Sequence, residues 1–477
     1  RVKGRTGAYL DLSGDALSFQ QGNRLNADLR GLQLSGTADQ LDKGLRLNAT
    51  FKTGTLDATA GSDYRLNTEA INITATANED KAKDPGKPLL HWNPTADFVL
   101  TNATLDIPQL KETIRIPTID FLADTREIGF RKGGVKVGKS DLSLTGNVIG
   151  IDQWLENPER LLKAELQVSS NYLDINEIMD LTSGLGAPAD TTATAEATPN
   201  EDSPKEDNPF MVPQGIDFTL GIHSKKALFK NLELNELGGT ATIKDGTLLL
   251  QEIGFTNEAA EMQLTAVYES PRKNHLFLGF DFHLLNVQIH DLLHIIPEID
   301  TIVPMLKTFD GTAEFHIAAQ TNLKSNYDLK MSTLRASADI EGANLSVRDI
   351  ASFTKITDML KVSTNGEYRI DSIDIQMTAF RDEVDLWPFQ ISIGKYKATL
   401  DGHYNLNTIG EYHISVTESP LPTRLGLKIS GPLNNLSYTL ESCKYPNLYK
   451  PNKRNDTEQL VMQLKQQIAT KLKENVQ

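Results

Sequence analysis

The chain has 477 residues, of which 39% are hydrophobic and 23% are charged, a composition that excludes a disordered or membrane-spanning protein. Its 48 basic and 63 acidic side chains give a net charge of -15, which argues against nucleic acid as a partner because phosphate binding requires a basic surface. With one cysteine, Cys443, the chain cannot form an internal disulfide.

Alternation of apolar and polar residues with a period of two dominates residues 1–181, for example in Leu45–Phe51 and Leu142–Val148. This pattern predicts antiparallel strands with one apolar and one wet face. Arg131–Gly134 is rich in turn formers and predicts a turn between two strands. Short helices are predicted at Trp154–Leu162 and Leu173–Met179.

Residues 182–209 differ in composition from their surroundings. They are rich in Pro, Thr, Asp and Glu and carry no large apolar side chain after Leu185, so we predict disorder. The segment separates an N-terminal β segment, 1–181, from a C-terminal one, 210–441. Because the alternation resumes on both sides, we favour a loop within one sheet over an inter-domain linker.

The C-terminal segment repeats the strand pattern, most extensively in Leu276–Leu284. Turns are predicted at Lys244–Thr247 and Phe309–Thr312, where Asp-Gly pairs supply the positive φ angles of tight hairpins. Two short helices are predicted within Val287–Leu306 and one at Ile350–Leu360.

The tail, residues 442–477, predicts an amphipathic helix at about 457–474. Asp456 and Gln459 have the spacing of a capping box. We expect the helix to dock on the end of the sheet or on a partner helix, with a membrane surface as the alternative. Its apolar stripe recurs every four residues and consists of Leu460, Leu464, Ile468 and Leu472.

About 20 to 25 strand segments are expected in all, more than one compact sandwich uses. Stacked at about 4.8 Å, some twenty strands give a sheet roughly 100 Å long. The predicted fold is therefore mainly β: a long curled antiparallel sheet, folded over like a taco into an open apolar groove, with a few short helices and the C-terminal amphipathic helix.

The apolar face exceeds what these helices can cover, which predicts closure by a second wall, a partner or a ligand. Acyl chains suit it because they are apolar, extended and indifferent to local sequence. The predicted lining residues of this lipid groove are Ile216, Phe218, Leu220, Leu276, Leu278, Phe280, Phe282, Phe315, Ile317, Phe389, Ile391, Leu400, Tyr404, Leu425 and Leu427.

Catalytic patterns are weak. His290 and His294 have the i, i+4 spacing of zinc proteases, but Asp291 replaces the glutamate that should follow the first histidine. Asp371 and Asp374 alternate with apolar residues and resemble the polar face of a strand more than a glycosidase pair. We predict no catalytic residue, no metal site and no cofactor.

The C-terminal segment resembles the AsmA family of Gram-negative envelope proteins, and especially its C-terminal region. The match covers about half of the chain, and the N-terminal segment agrees in style only. The residues that carry the resemblance are Ile299–Gly311, Asp385–Phe389, Tyr396–Gly402, Tyr412–Val416, Ser419–Leu427 and Ile429–Leu433.

The resemblance implies a periplasmic protein anchored to the inner membrane by a helix upstream of Arg1, with a folded-over β groove similar to that of bridge-like lipid-transfer proteins. It implies that phospholipid moves between the inner and outer membranes, which maintains outer-membrane integrity. The implied partners are phospholipid acyl chains, the inner membrane, and an outer-membrane or periplasmic protein at the C-terminal end. Two alternatives stay open: a structural factor that influences outer-membrane protein insertion without carrying lipid, and a β-helical polysaccharide-active enzyme.

Overall fold

The computed structural model describes residues 7–22, 24–42, 44–61, 64–86, 91–107, 112–157, 161–182, 209–295, 308–364, 368–405, 410–422, 424–432, 435–446 and 452–473. These residues form 23 strands of one sheet and a few short helices, so the mainly β fold with a C-terminal helix is confirmed. The chain divides into two compact units, Arg1–Ser203 with Phe210–Leu248, and Pro204–Pro209 with Leu249–Gln477.

The first unit contains the twelve strands β1 to β12 among the described residues. Its strands are β1 Gly7–Gln21, β2 Leu25–Leu41, β3 Gly44–Thr53, β4 Thr55–Ala60, β5 Tyr64–Asn78, β6 Pro94–Asp106, β7 Ile114–Ala123, β8 Glu127–Val137, β9 Ser140–Ile149, β10 Leu162–Asp174, β11 Ile216–Phe229 and β12 Leu232–Lys244. Its helices are α1 Ile151–Glu156 and α2 Ile175–Thr182. The helix predicted at Leu173–Met179 is confirmed with a later start, whereas the helix predicted at Trp154–Leu162 overlaps α1 only at 154–156, because Leu162 already begins β10.

Strand pairing in this unit is antiparallel except between β10 and β11, which are parallel in the register Leu166↔Leu220. A parallel pair needs a connection of a dozen or more residues, and the chain from α2 to β11 supplies that length. The predicted disorder of 182–209 concerns residues that, from 183 to 208, lie outside the described ranges. Strands β10 and β11 pair directly and both belong to the first unit. The two units divide after Leu248, inside the strand Thr247–Thr256.

The two faces of the first unit have opposite chemistry, as the alternation predicts. On one face, Phe98, Phe121 and Phe130 are register partners of neighbouring strands, with ring centroids 4.6 and 5.7 Å apart. On the other face, the Arg131 guanidinium donates hydrogen bonds to Asp97 and Asp120. The turn predicted at Arg131–Gly134 is wrong, because these residues lie inside β8. The strand continues there through a bulge between Phe130 and Gly133.

The second unit holds the remaining strands. These are β13 Thr247–Thr256, which begins in the first unit, β14 Glu261–Arg272, β15 His275–Gln288, β16 Phe309–Leu323, β17 Arg335–Val347, β18 Arg369–Phe380, β19 Glu383–Ile393, β20 Tyr396–Asn405, β21 Gly410–Glu418, β22 Leu425–Gly431 and β23 Ser437–Ser442. Its helices are α3 Ile289–Ile295, α4 Ile350–Met359 and α5 Asp456–Lys473, with a 3₁₀ turn at Met331–Thr333. The second helix predicted within Val287–Leu306 falls on residues outside the described ranges.

Strands β14 to β23 pair antiparallel, each with its neighbour in sequence. A polysaccharide-active β-helix would need parallel coils, so the described strands do not form one. The predicted turn at Lys244–Thr247 is confirmed by the positive φ of Asp245 and Gly246. The turn predicted at Phe309–Thr312 is wrong, because these residues begin β16 and Gly311, at φ 135, forms a bulge.

Bulges keep apolar residues on one face of the long strands. Asn344 adopts φ 54, and beyond it Leu345 and Val347 stay buried on the face of Ile340, although their odd numbers would place them on the opposite face of a regular strand. Asn286, also at φ 54, does the same for Val287 in β15. The bulges therefore extend the apolar face where simple alternation would end it.

The bulge at Asn344 gives a direct test of this arrangement. Asn344→Val is expected to destabilise the second unit by about 1–2 kcal/mol, because a β-branched side chain is strained in the left-handed region. Asn344→Gly removes the side chain but tolerates the angle, and it is expected to change stability by less than about 1 kcal/mol. Urea unfolding of both variants measures the difference, and equal destabilisation by Val and Gly would contradict the bulge.

The C-terminal helix α5 confirms the predicted bounds but packs on the polar face of the sheet, opposite the main core. Leu464 and Ile468 pack against Leu249 and Val267 in a small separate cluster. Gly279 permits this approach, since an added Cβ would stand 3.1 Å from Leu464 Cδ1. The docking predicted for the helix is thus made by its apolar stripe, on the face of strands β14 to β17 and not at the end of the sheet.

The start of α5 is fixed by polar contacts. Gln459 Nε2 donates to Asn455 Oδ1 at 2.9 Å, so the glutamine of the predicted capping box reaches back to Asn455 and not to Asp456. Just before the helix, the Arg454 guanidinium lies 3.6 Å from the Trp387 ring centroid. Trp387 donates in turn to Thr378 Oγ1 at 2.9 Å. These contacts tie the tail to β18 and β19.

Candidate functional site

A cavity of 460 Å³ lies in the second unit between α4 and the apolar face of strands β19 to β23. Small-molecule sites occupy about 300–1,000 Å³, so its size suits a ligand. Its apolar lining comes from the sheet, from α4 and from the residues that follow the helix. The apolar lining residues are Phe309, Val347, Phe353, Ile356, Leu360, Val362, Ile370, Ile391, Ile393, Ala398, Leu400, Ile414, Val416, Ile429 and Leu436.

The helix above the cavity is placed by its own sequence. Asp349 caps α4, its carboxylate accepting a hydrogen bond from the Ser352 backbone N–H at 3.1 Å. The pKa of Asp349 is lowered by hydrogen bonds from the side chain and backbone of Ser352. Phe353, Ile356 and Met359 recur at helical spacing and pack against the core of the unit. The apolar stripe of α4 therefore faces the sheet across the cavity.

Charged groups stand beside the cavity. Lys397 is a lining residue and pairs with Glu418, at 2.9 Å between Nζ and Oε1. Lys355 of α4 places its Nζ 4.1 Å from the ring centroid of Tyr438, which also lines the cavity. An apolar interior with cations beside it matches an amphipathic ligand whose anionic head stays in water.

Tyr412 adds a neutral polar group to the lining. Burial raises the pKa of Tyr412 and of its neighbour Tyr404, so both phenols are uncharged at neutral pH. Their ring centroids are 6.0 Å apart. Of these two tyrosines, Tyr412 lines the cavity, and it presents a neutral hydroxyl there.

The predicted groove residues are distributed over both units. Ile216, Phe218 and Leu220 lie half-buried on β11 of the first unit. In the second unit, Leu276, Leu278, Phe280 and Phe282 share one face of β15. Five of the predicted residues belong to the main core cluster of that unit, namely Phe315, Phe389, Leu400, Tyr404 and Leu427, and four more pack against it, namely Phe282, Ile317, Ile391 and Leu425.

Burial separates these positions into two groups. Six are buried, namely Leu276, Phe315, Phe389, Leu400, Tyr404 and Leu427. The other nine are half-buried. Ile391 and Leu400 line the cavity, so the structure brings these two of the predicted residues to it. Much of the predicted lining is therefore packed core in the second unit, and the cavity beneath α4 takes in two of the predicted residues.

Sequence reasoning missed the helix side of the cavity. Phe353 and Ile356 were assigned to a short helix, but their role as a cavity wall was not predicted. Val362 and Leu436 lie outside regular elements, where no periodicity marks an apolar residue as lining. The one available signal was the i, i+3 apolar spacing of α4.

In the first unit, the apolar side chains near β1 are not covered. Large hydrophobic residues on β1 and at the start of β2 have exposed fractions of 36–69%. These exposed residues are Tyr9, Leu10, Leu12, Leu17, Phe19 and Leu25. Large apolar side chains exposed on two paired strands make this part of the unit a candidate binding surface.

The structure describes the side chains of three of the four candidate catalytic residues. His290 is exposed on α3, and its Nδ1 lies 2.8 Å from Arg348 Nη1, while the side chain of His294 lies outside the described residues. Asp374 on β18 has its pKa raised by partial burial. Asp371 is exposed on the same strand.

No protein-family model matches the chain, and no curated protein matches it. None of the helices in the described ranges is long and apolar enough to cross a membrane.

Proposed function

We propose that this chain is a non-enzymatic lipid-binding protein of the Gram-negative periplasm, which moves phospholipid between the inner and outer membranes and so maintains outer-membrane integrity. The observation that carries the proposal is the apolar 460 Å³ cavity beneath α4, with lysines beside it. The exposed apolar residues of β1 and β2 add a second surface for acyl chains. The anchor in the inner membrane and the periplasmic location come from the resemblance to the AsmA family.

Such a function needs no catalytic group. Acyl chains bind by burial of apolar surface, at about 25 cal/mol per Å² removed from water, and the head group remains hydrated. Transport along an apolar face requires adjacent sites of similar affinity, since one very tight site would trap the lipid. A partner at the outer membrane or in the periplasm would receive the lipid at the C-terminal end.

A cavity-filling substitution tests the proposal. Ala398 lines the cavity from β20, so Ala398→Phe should place a ring in the space that an acyl chain would occupy. We expect at least about a tenfold loss of affinity for phosphatidylethanolamine labelled with a fluorophore on one acyl chain, because the apolar contact surface is lost. Fluorescence titration measures the affinity.

Ala351→Phe is the matched control, because Ala351 is exposed on the same helix that bounds the cavity. It should bind the labelled lipid as the unmodified chain does. If Ala398→Phe proves unstable through overpacking, Ala398→Leu gives a smaller intrusion with the same expected direction. Unchanged affinity in both Ala398 variants would contradict lipid binding in this cavity.

The structural alternative has its own support, because the apolar face of the second unit is largely filled by its own side chains. One cluster of buried residues extends from Ala260 to Ile429 and includes members of every strand from β14 to β22. A factor that influences outer-membrane protein insertion without carrying lipid would use such a closed core as a scaffold. In that case Ala398→Phe would leave the function unchanged.

A further inference from the structure

Three potential metal ligands lie together on the polar face of the second unit, the face that carries α5. Asp281 and His283 are two residues apart on β15, so they point to the same side. His316 is the register partner of His283 on β16. The two imidazole rings are stacked with centroids 3.7 Å apart. Two strands thus present two histidines and a carboxylate at one point.

One carboxylate oxygen of Asp281 lies close to the Nε2 atoms of both stacked rings. Asp281 Oδ1 is 2.8 Å from His316 Nε2 and 3.3 Å from His283 Nε2. The three ligand atoms lie within 4.8 Å of one another. In tetrahedral zinc sites, with bonds of about 2.0–2.2 Å, ligand atoms stand about 3.3 Å apart. Small side-chain rotations therefore bring all three atoms to bonding distance of one ion.

The three groups differ in their exposure to solvent. Asp281 has 9% of its side chain exposed, His316 26% and His283 37%, so the carboxylate is shielded while the histidines remain open to solvent. A metal ion could therefore reach the histidines from solvent. Lys465 of α5 lies close enough to His283 to interact with it electrostatically, and its charge repels a cation without removing a ligand.

We propose that Asp281, His283 and His316 bind a divalent transition-metal ion, Zn²⁺ in the first place, with water in the fourth position. Imidazole nitrogen is a preferred donor for such ions, and a carboxylate supplies the compensating charge. The ion would link β15 to β16 beside the docked helix α5. This site lies on the opposite face of the sheet from the lipid cavity and does not depend on it.

His403 provides a matched control, because it also contacts two carboxylates. Its Nδ1 is 2.8 Å from Asp385 and its Nε2 is 2.8 Å from Glu383. The two carboxylates are on opposite ring nitrogens, so they cannot ligate one ion together with the ring. His403→Gln should therefore leave zinc affinity unchanged.

The test uses the full chain after treatment with EDTA, titrated with Zn²⁺ by calorimetry and with Co²⁺ by visible absorption. We expect one zinc ion per chain, and the intense bands of four-coordinate Co²⁺. His316→Gln should weaken zinc binding by at least about tenfold, as even the loss of an outer partner does. His283→Gln should do the same, while His403→Gln should match the unmodified chain.

Thermal unfolding in EDTA shows whether each variant is folded, and a folded His316→Gln variant is the decisive one. If His316→Gln fails to fold, Asp281→Asn replaces it, since the amide keeps the shape and weakens the ligand. Absence of stoichiometric zinc binding to the unmodified chain, or a zinc affinity in the His316→Gln and His283→Gln variants equal to that of the unmodified chain, would overturn the proposal.

Discussion

Phe315→Ala is expected to lower the free energy of unfolding of the second unit by about 3–5 kcal/mol. Phe315 is 4% exposed on β16 and belongs to the main core cluster of that unit. Truncating a buried phenylalanine loses its transfer free energy and leaves a void that the surrounding residues fill only in part. Natural domains have a free energy of unfolding of about 5–15 kcal/mol, so this loss is a large fraction of the total.

Fluorescence measures this effect in one unit at a time. Trp387 lies in the second unit, whereas Trp92 and Trp154 lie in the first, so replacing the latter two with Phe leaves a single reporter. Phe380→Ala is the control: Phe380 is 54% exposed and stacks with Arg335 and Arg381, so its loss should cost less than about 1 kcal/mol. Equal costs at Phe315 and Phe380 would show that the described core is wrong.

Leu464→Asp is expected to release α5 from the sheet. Leu464 is 7% exposed in the small cluster on the polar face, and burying an unpaired carboxylate there costs several kcal/mol. Undocking relieves that cost, because the carboxylate is then hydrated. The undocked helix of 18 residues is only marginally stable in water. Amide hydrogen exchange should therefore lose protection in Asp456–Lys473 while β16 to β22 keep theirs.

Met462→Asp is the control on the same helix. Met462 is 60% exposed, so a carboxylate there stays hydrated and the helix should remain docked. Protection of Asp456–Lys473 that survives Leu464→Asp, or that is lost equally in both variants, would contradict the docking of α5 by its apolar stripe.

Much of the fold follows from local periodicity. Leu276–Leu284 alternates without interruption, and it forms β15 with Leu276 and Leu284 buried. Apolar residues at every fourth position, such as Leu464 and Ile468, predict α5 to within one residue at each end. These patterns lie within a single segment, so they can be recognised without knowing which strand pairs with it.

Features that depend on non-local pairing were not predicted. In the sequence, Asn344 is indistinguishable from an ordinary residue on the polar face of a strand. Only its backbone angle identifies the bulge that keeps Leu345 in the core. The parallel pair β10 and β11 is invisible to a pattern that describes single strands. His283 and His316 are 33 positions apart with no motif between them. The group that they form with Asp281 therefore matches no known spacing of metal ligands and could not be predicted.

The candidate cavity was predicted in part. Ile391 and Leu400 were assigned to an apolar face because they alternate with polar residues, and they line the cavity. The extent of open space was not predicted, because alternation defines which face is apolar but not whether helices cover it. The packing of α4 over this face decides that question.

Lipid extraction tests the central claim most directly. The full chain, purified from bacterial membranes in a mild detergent, is washed, extracted with organic solvent and analysed by mass spectrometry. The account predicts phospholipid in stoichiometric amount with the unmodified chain and with Ala351→Phe, and a strong reduction with the folded Ala398→Phe variant. Absence of phospholipid from the unmodified chain, or equal loading of all three proteins, would contradict lipid binding in the cavity beneath α4.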